Sequence, residues 1–212
     1  MKHRVRFVAG QAQAVRLTAD RPHEVRLIGG QWKRSKLPVA DVAGLRPTPD
    51  RVRETLFNWL GQDLSGWRVL DAFAGSGALG FEAASRGAAE VLLLERDAGL
   101  VASLNASRQR LKADALRVER GDALTWMARC AAARFELVLI DPPFDAAIAP
   151  DAATAAARLL VDGGSLYVES ATPLAQPPAG LLLHRQSRAG AVHFQLFRRG
   201  YTAAVDPPRT AP

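Results

Sequence analysis

The pattern of apolar and polar positions becomes regular at Trp67 and stays regular as far as residue 197. Short, near-continuous apolar runs alternate with longer segments of helical spacing, which is typical of strands buried on both faces and of the helices that connect them. We therefore predict an α/β fold with a mainly parallel sheet covered by helices on both sides. The predicted strands are 67–73, 90–95, 115–123, 135–144, 163–170, 181–185 and 192–197, and the predicted helices are 77–86, 97–111, 123–133 and 150–160.

A β-hairpin is predicted before this alternation. Val25 and Leu27 alternate with polar residues, Gly29 and Gly30 form a turn signal, and residues 32–39 can return as the second strand. The cations of this predicted hairpin are Arg26, Lys33, Arg34 and Lys36.

A helix is predicted between the hairpin and the first strand of the sheet. Thr48 suits the N-cap position, where a side-chain oxygen accepts from an unpaired backbone N–H, and Pro49 suits the first helical position. Apolar residues at helical spacing between positions 52 and 60 predict the buried face. Arg51 and Arg53 fall off that face, so we expect both side chains to point away from the core.

Basic charge is concentrated at the start of the chain. The 212 residues carry a formal net charge of +7, and residues 1–53 contain twelve Lys or Arg against four Asp or Glu. A nearly neutral body with a basic arm is typical of proteins that bind polyanions, because cations release the counterions condensed on phosphates. The alternative is a solvated basic tail without a partner.

Composition argues against several other classes of protein. No apolar run reaches eighteen residues, so we expect no membrane span, and the first ten residues lack an apolar stretch of secretory length. We therefore expect a cytoplasmic protein. Cys130 is the only cysteine and the four histidines are scattered, so we expect neither a disulfide within the chain nor a metal site.

A glycine-rich turn follows the first predicted strand of the sheet. Gly75, Gly77 and Gly80 satisfy the pattern G-x-G-x-x-G between a strand and a helix. Glycine lets the backbone turn tightly and approach a ligand closely, because it has no Cβ. Glu95 ends the next predicted strand, where a carboxylate can bind the ribose hydroxyls of an adenosine. The pattern predicts a nucleotide-type cofactor site, which dehydrogenases and methyltransferases share.

Acidic residues favour one of these two cofactor classes. Asp71 stands just before the glycine turn, where its charge would repel the pyrophosphate of NAD. S-adenosylmethionine has no phosphate and carries an ammonium and a sulfonium, so a carboxylate there favours its binding. Asp122 follows the third predicted strand and can accept from the adenine amino group, although a helix N-cap explains it almost as well.

The tetrapeptide Asp141-Pro142-Pro143-Phe144 ends the fourth predicted strand of the sheet. Ligands of open α/β sheets bind outside the carboxyl ends of the strands, so this segment is expected in the same crevice as the glycine turn. Asp141 can accept one N–H of an exocyclic amine and a proline carbonyl the other, which favours a pyramidal nitrogen. Phe144 offers a ring on which an extruded base can stack. We therefore predict methylation of an amine on a nucleic-acid base, at guanine N2 or adenine N6.

Two interpretations that assign the chain to another class of protein remain. An NAD-dependent oxidoreductase is compatible with the glycine turn, but it leaves Asp71 and the tetrapeptide unexplained. A catalytically silent RNA-binding module is compatible with the basic arm, but it leaves both cofactor motifs without use.

The motifs together resemble the RsmD family of bacterial ribosomal RNA methyltransferases. The resemblance runs from about Leu27 to Glu169 and does not include the segments before Leu27 or after Gly200. It implies a Rossmann-like fold with seven strands, the last antiparallel, and methylation of guanine N2 in small-subunit (16S) ribosomal RNA. The segments that carry it are LIGGQWKRSKLPV, GLRPTPDRVRETLFNWL, LDAFAGSGALGFEAASRGA and FELVLIDPPF.

The resemblance also implies site residues and a partner, and the organisation of the chain follows from its charge and composition together with the resemblance. We expect a basic, RNA-binding extension over 1–48, a catalytic domain over 49–200 and a flexible tail over 201–212. The partner implied is ribosomal RNA within the small subunit, and a monomer is expected because nothing in the sequence forces a dimer. The S-adenosylmethionine set is Asp71, Phe73, Gly75, Gly77, Glu95, Arg96, Asp122 and Ala123. The target-amine set is Asp141, Pro142, Pro143 and Phe144, and the RNA-binding set is Arg26, Lys33, Arg34, Lys36, Arg46, Arg51 and Arg53.

Overall fold

The predicted alternation of strands and helices is confirmed. A computed structural model describes residues 24–39, 48–143 and 148–201. The strands are β1 (Glu24–Arg26), β2 (Lys36–Pro38), β3 (Arg68–Asp71), β4 (Glu90–Glu95), β5 (Leu116–Arg120), β6 (Phe135–Ile140), β7 (Leu160–Ser170), β8 (Leu181–Ala189) and β9 (Val192–Arg199). The helices are α1 (Asp50–Leu60), α2 (Ala78–Ser85), α3 (Ala98–Leu111), α4 (Ala123–Arg129) and α5 (Ala149–Ala157). Within the described ranges, none of these helices is both long and apolar enough to cross a membrane.

Seven strands form one sheet in the order β5-β4-β3-β6-β7-β9-β8. The strands from β5 to β7 pair in parallel, whereas β9 is antiparallel to both of its neighbours. The predicted seven-stranded, mostly parallel sheet is therefore confirmed. The chain runs outward from β3 through β4 to β5 and then returns to β6 on the other side of β3. The carboxyl ends of β3 and β6 thus meet where the strand order reverses, which is the usual position of a ligand crevice.

Helices cover both faces of the sheet, as predicted. One face packs against α1, α2, α3 and the hairpin, and its core contains Phe81 together with Leu27 and Leu37. The other face packs against α4 and α5 through side chains such as Met127 and Ala153. Leu27 and Leu37 have no exposed surface, so the hairpin β1–β2 is packed onto the body of the protein.

The hairpin turn differs from the prediction. The second strand is only three residues long, and residues 27–35 form a loop between β1 and β2. This loop lies against the end of α2, where the Gln31 N–H donates to the Ser85 carbonyl at 2.8 Å. Gly30 has a φ of +69°, and a Cβ there would lie 1.8 Å from the same carbonyl oxygen. Gly29 and Gly30 therefore allow close packing against α2 rather than forming a two-residue turn.

Arg53 is buried, so the prediction that it faces outward is wrong. Its side chain has no exposed surface. Nη1 lies 3.3 Å from the Glu82 carboxylate, and Nη2 donates to Asp50 at 2.6 Å. Nη2 also donates to the Arg26 carbonyl at 2.9 Å, and Nε donates to the Thr48 carbonyl at 3.3 Å. The guanidinium joins the hairpin, α1 and α2, and it has no surface left for an RNA phosphate.

Candidate active site

The glycine turn connects β3 to α2 in the predicted position. Gly75 and Gly77 have φ of +53° and +79°, a region that favours glycine. Gly77 is the N-cap of α2, and a Cβ on it would lie 2.6 Å from a Leu104 methyl. The turn therefore requires the glycines that the sequence pattern singled out.

Asp71 lies directly beneath this turn. It is 1% exposed, and its Oδ2 accepts from the Gly80 N–H at 3.0 Å. Its Oδ1 is buried and has no hydrogen-bond partner among the described residues. Burial and, second to it, the charge of Asp141 raise the pKa of Asp71 to about 7. The site thus holds a buried carboxylate with one oxygen still unsatisfied.

Glu95 ends β4 beside the same turn. Its Oε2 accepts from the Gly75 N–H at 2.9 Å, and its Oε1 accepts from the Asp97 N–H at 2.8 Å. The structure therefore brings Glu95 and the glycine turn together, as the cofactor prediction requires.

Asp122 follows β5 and caps helix α4. Its side chain accepts from the Thr125 N–H at 2.8 Å, and hydrogen bonds from Thr125 lower its pKa. The capping interpretation therefore describes its bonding here, while the carboxylate stays exposed at the edge of the crevice. Among the remaining predicted cofactor residues, Ala123 is buried, Phe73 is half-buried and Arg96 is exposed.

Asp141 follows β6 on the strand next to Asp71. Pro142 is buried and Pro143 is exposed, and Phe144 lies outside the described residues. Burial raises the pKa of Asp141 to about 6, against a hydrogen bond from Thr48 that lowers it. Within the described ranges, Thr48 is the hydrogen-bond donor that Asp141 has, so its other oxygen is available to a ligand.

Thr48 does not cap helix α1, which corrects the prediction. Pro49 occupies the N-cap position, and no side chain bonds the first turn. Instead, the Thr48 hydroxyl donates to Asp141 Oδ2 at 3.0 Å.

Two buried polar residues of β7 complete the site and were not predicted. Tyr167 is fully buried, and its hydroxyl donates to Glu169 Oε1 at 2.8 Å. The register pairs Leu139 of β6 with Tyr167, so Asp141 and Glu169 follow on the same face of adjacent strands. The signal in the sequence was a tyrosine and an acid two residues apart, on the same side of one strand.

The predicted RNA-binding cations do not form one uniform surface. Lys33 and Arg34 are exposed on the hairpin loop, and Arg51 is exposed on the first turn of α1. Lys36 pairs with Glu24 at 2.6 Å, and Arg26 lies 3.7 Å from Asp50. Arg46 lies outside the described residues. The loop packs at the end of α2 that is farthest from the glycine turn, roughly 12 Å away for eight helical residues.

The residues at the carboxyl ends of β3, β4 and β6 fit S-adenosylmethionine. Its ammonium and sulfonium are positive, and Asp71 offers a buried carboxylate oxygen that lacks a partner. Gly75 and Gly77 present backbone without a Cβ on either side of Ser76, so a ligand can approach the turn closely. These residues would hold the cofactor through charge and close backbone contact.

Most of the chain is similar to proteins that are already described. The family described as "Conserved hypothetical protein 95" matches residues 25–198. The chain is 43% identical over 184 residues to ribosomal RNA small subunit methyltransferase D of Escherichia coli K12, which covers 83% of this chain and 90% of that protein. The Haemophilus influenzae protein of the same name is 38% identical over 188 residues, covering 85% and 97%. The structure of yhhF from Escherichia coli is 41% identical, covers 84% and 99%, and has a TM-score of 0.75.

Proposed function

Because this chain belongs to the RsmD family of methyltransferases, we propose that it transfers a methyl group from S-adenosylmethionine to the exocyclic N2 amine of a guanine in small-subunit ribosomal RNA. The chain is a methyltransferase with a Rossmann-like fold. The target base, the cofactor and the residue roles belong to the proposal. A ribosomal substrate also favours a cytoplasmic location.

One observation carries the proposed chemistry: Asp141 lies next to Asp71, the acid that precedes the glycine turn. β3 and β6 are adjacent strands, and the charge of Asp141 is close enough to raise the pKa of Asp71. A base amine held by Asp141 therefore lies next to the site proposed for the cofactor. Such juxtaposition of the reacting groups is the main source of catalysis in a transfer of this kind.

The residues of this chain have three proposed tasks at the target amine. S-adenosylmethionine supplies an electrophilic methyl group on a sulfonium that is already a good leaving group. Asp141 accepts one amine N–H, and the Pro142 carbonyl accepts the other, which directs the nitrogen lone pair at the methyl. The prolines fix the backbone and add no competing N–H. The amine proton leaves after transfer, to Asp141 or to water, and Phe144 is proposed to stack on the extruded base.

The exposed cations are proposed to hold the RNA on either side of the target. Arg51 is three residues after Thr48, which bonds Asp141, whereas Lys33 and Arg34 lie about a helix length from the glycine turn and would reach flanking phosphates. Arg26 and Lys36 remain proposed RNA-binding residues, and each lies beside a carboxylate. Arg46 also stays in the set, and Arg53 is removed from it because it is buried.

Removal of the Asp141 carboxylate tests the assigned chemistry. Asp141→Ala should lower kcat about 100- to 1,000-fold, the usual cost of losing one electrostatic partner of the transition state. Binding of S-adenosylmethionine, measured by calorimetry, should persist. The matched control is Asp114→Ala. It removes an exposed carboxylate just before β5, at the amino end of a strand and not at the carboxyl end where the crevice lies. Near-normal turnover by Asp141→Ala would refute the role of this residue.

A further inference from the structure

Three carboxylic acids lie at the carboxyl ends of three adjacent strands. Asp71 ends β3, Asp141 follows β6, and Glu169 lies near the end of β7. Asp71 and Glu169 are 1% and 2% exposed. The charge of Asp141 raises the pKa of each of the other two. Like charges at such short range in a poorly solvated site cannot all be present, so protons must be distributed among these groups.

Burial and hydrogen bonds together indicate which acid is ionised. The Tyr167 hydroxyl donates to Glu169 Oε1 at 2.8 Å, and the Thr48 hydroxyl donates to Asp141 Oδ2 at 3.0 Å. A hydrogen bond from Thr48 also lowers the pKa of Glu169, so the Thr48 hydroxyl lies between the two acids. A hydroxyl has one hydrogen, and that of Thr48 is already given to Asp141. Glu169 is 2% exposed whereas Asp141 is half-buried, so the shared proton stays on Glu169. With the Thr48 hydrogen given to Asp141, the neutral Glu169 is then the donor to Thr48.

The bonds thus run in one direction through the cluster. Tyr167 donates to Glu169, neutral Glu169 donates to Thr48, and Thr48 donates to Asp141. The negative charge at the end of this chain falls on Asp141, the residue that must accept from the target amine. Burial and the charge of Asp141 both raise the pKa of Glu169 well above its ordinary value, which agrees with a neutral Glu169.

The position of Thr48 is fixed from both sides. Its hydroxyl is held by Asp141, and its carbonyl accepts from Arg53 Nε at 3.3 Å. Thr48 is 5% exposed, so water does not compete freely for its hydroxyl. A hydroxyl held this firmly can hold the carboxylate that it touches in one orientation.

We propose that Thr48 and Glu169 are positioning residues that keep Asp141 ionised and turn its free carboxylate oxygen toward the target amine. This inference rests on the proposed function, because it assumes that Asp141 receives the amine. Neither residue is assigned contact with the base or with the reacting methyl group. Both act through Asp141.

Thr48 variants give the first test. Thr48→Val keeps the shape and removes the hydroxyl, so kcat should fall about tenfold or more, as expected for loss of a bond to a charged group. The Thr48 bond lowers the pKa of Asp141, so its loss should move the acid limb of kcat/KM upward by about one pH unit. Thr48→Ser should restore both. Thr55→Val is the matched control, since the Thr55 hydroxyl bonds only the Arg51 carbonyl on the exposed side of α1.

Binding of S-adenosylmethionine separates positioning from a direct ligand contact. The dissociation constant of Thr48→Val should stay within about twofold of the wild-type value. An unchanged pH profile in Thr48→Val, or a loss of cofactor affinity as large as the loss of kcat, would overturn the proposal.

Glu169 variants test the protonation state. Glu169→Gln is neutral at every pH and still offers an oxygen to Tyr167 and an N–H to Thr48, so it should retain far more activity than Glu169→Ala. Equal losses in the two variants would show that an ionised Glu169 is needed and would overturn the inference. If the wild type transfers no methyl group to ribosomal RNA, the proposed function fails. If the wild type is active and Asp141→Ala is equally active, the role of Asp141 fails and the positioning inference fails with it. If Asp141→Ala is inactive while the Thr48 variants behave like the wild type, only the positioning inference fails.

Discussion

Replacement of Arg53 gives a prediction whose size follows from the structure. Arg53→Met keeps a long apolar stem and removes a guanidinium that bonds Glu82, Asp50 and two backbone carbonyls, those of Thr48 and Arg26. Removal of one partner from a buried ion pair costs about 3–5 kcal/mol, because the other charge stays buried.

The cost should lie near the lower end of that range. Glu82 keeps Arg86, whose Nη2 lies 2.8 Å from Oε1, and it keeps the Ile28 N–H at 2.9 Å. Its charge is therefore not left alone. We expect a loss of about 3 kcal/mol in the free energy of unfolding, equivalent to roughly 6–12 °C in Tm for a chain of this size.

Urea unfolding followed by circular dichroism measures this loss, and Arg51→Met is the matched control. Arg51 is two residues away on the same helix and is exposed, so its replacement should change stability by about 0.5 kcal/mol or less. The reverse pattern is expected when RNA binding is measured as a function of salt concentration: the Arg51 variant should be affected and the Arg53 variant should not. Arg51→Met should reduce the salt slope by about 1, and Arg53→Met should leave it unchanged below its unfolding transition.

One pattern of results would refute this reasoning. If Arg53→Met were as stable as the wild type and bound RNA with a reduced salt slope, the guanidinium would be contacting phosphate in solution. The burial and the four bonds described above would then not represent the working protein.

Two further predictions concern pH and charge. Burial and the charge of Asp141 raise the pKa of Asp71 from 3.8 to about 7, so Asp71 should contribute a loss of up to about 4 kcal/mol of stability as pH rises from 4 to 7. Asp71→Asn should remove this share, while the share of Asp141 and Glu169, whose pKa values are also raised, should remain. Urea unfolding without cofactor at about pH 5 and pH 8 checks this, and an equal loss in both proteins is the contrary result. Charge reversal of Lys33 and Arg34 should weaken RNA binding and flatten its salt dependence; unchanged binding would mean that the hairpin loop is structural only.

The sheet could be predicted from the sequence because its strands are apolar almost throughout. Within β6, the five positions Leu137–Ile140 and Phe135 are fully buried, and such runs leave little choice of structure. The bounds of the described sheet elements differ from the predicted ones by four residues at most. The glycine turn was equally predictable, because Gly75 and Gly77 adopt a backbone conformation that other residues avoid.

The polar contacts between distant segments could not be predicted. Thr48 looked like a helix cap because capping is a local rule, but its partner Asp141 is 93 residues away. Arg53 looked exposed because it falls off the apolar face of α1, and its partner Glu82 lies on a helix that is buried throughout. Only the packed structure shows that one buried charge compensates the other.

The most direct test of the central claim is methyl transfer from labelled S-adenosylmethionine to small ribosomal subunits from cells that lack this activity. The modified nucleoside is then identified by mass. We predict label in N2-methylguanosine. Label in N6-methyladenosine would contradict the assigned base, and no transfer to subunits or free RNA by protein that binds the cofactor would contradict the assigned substrate.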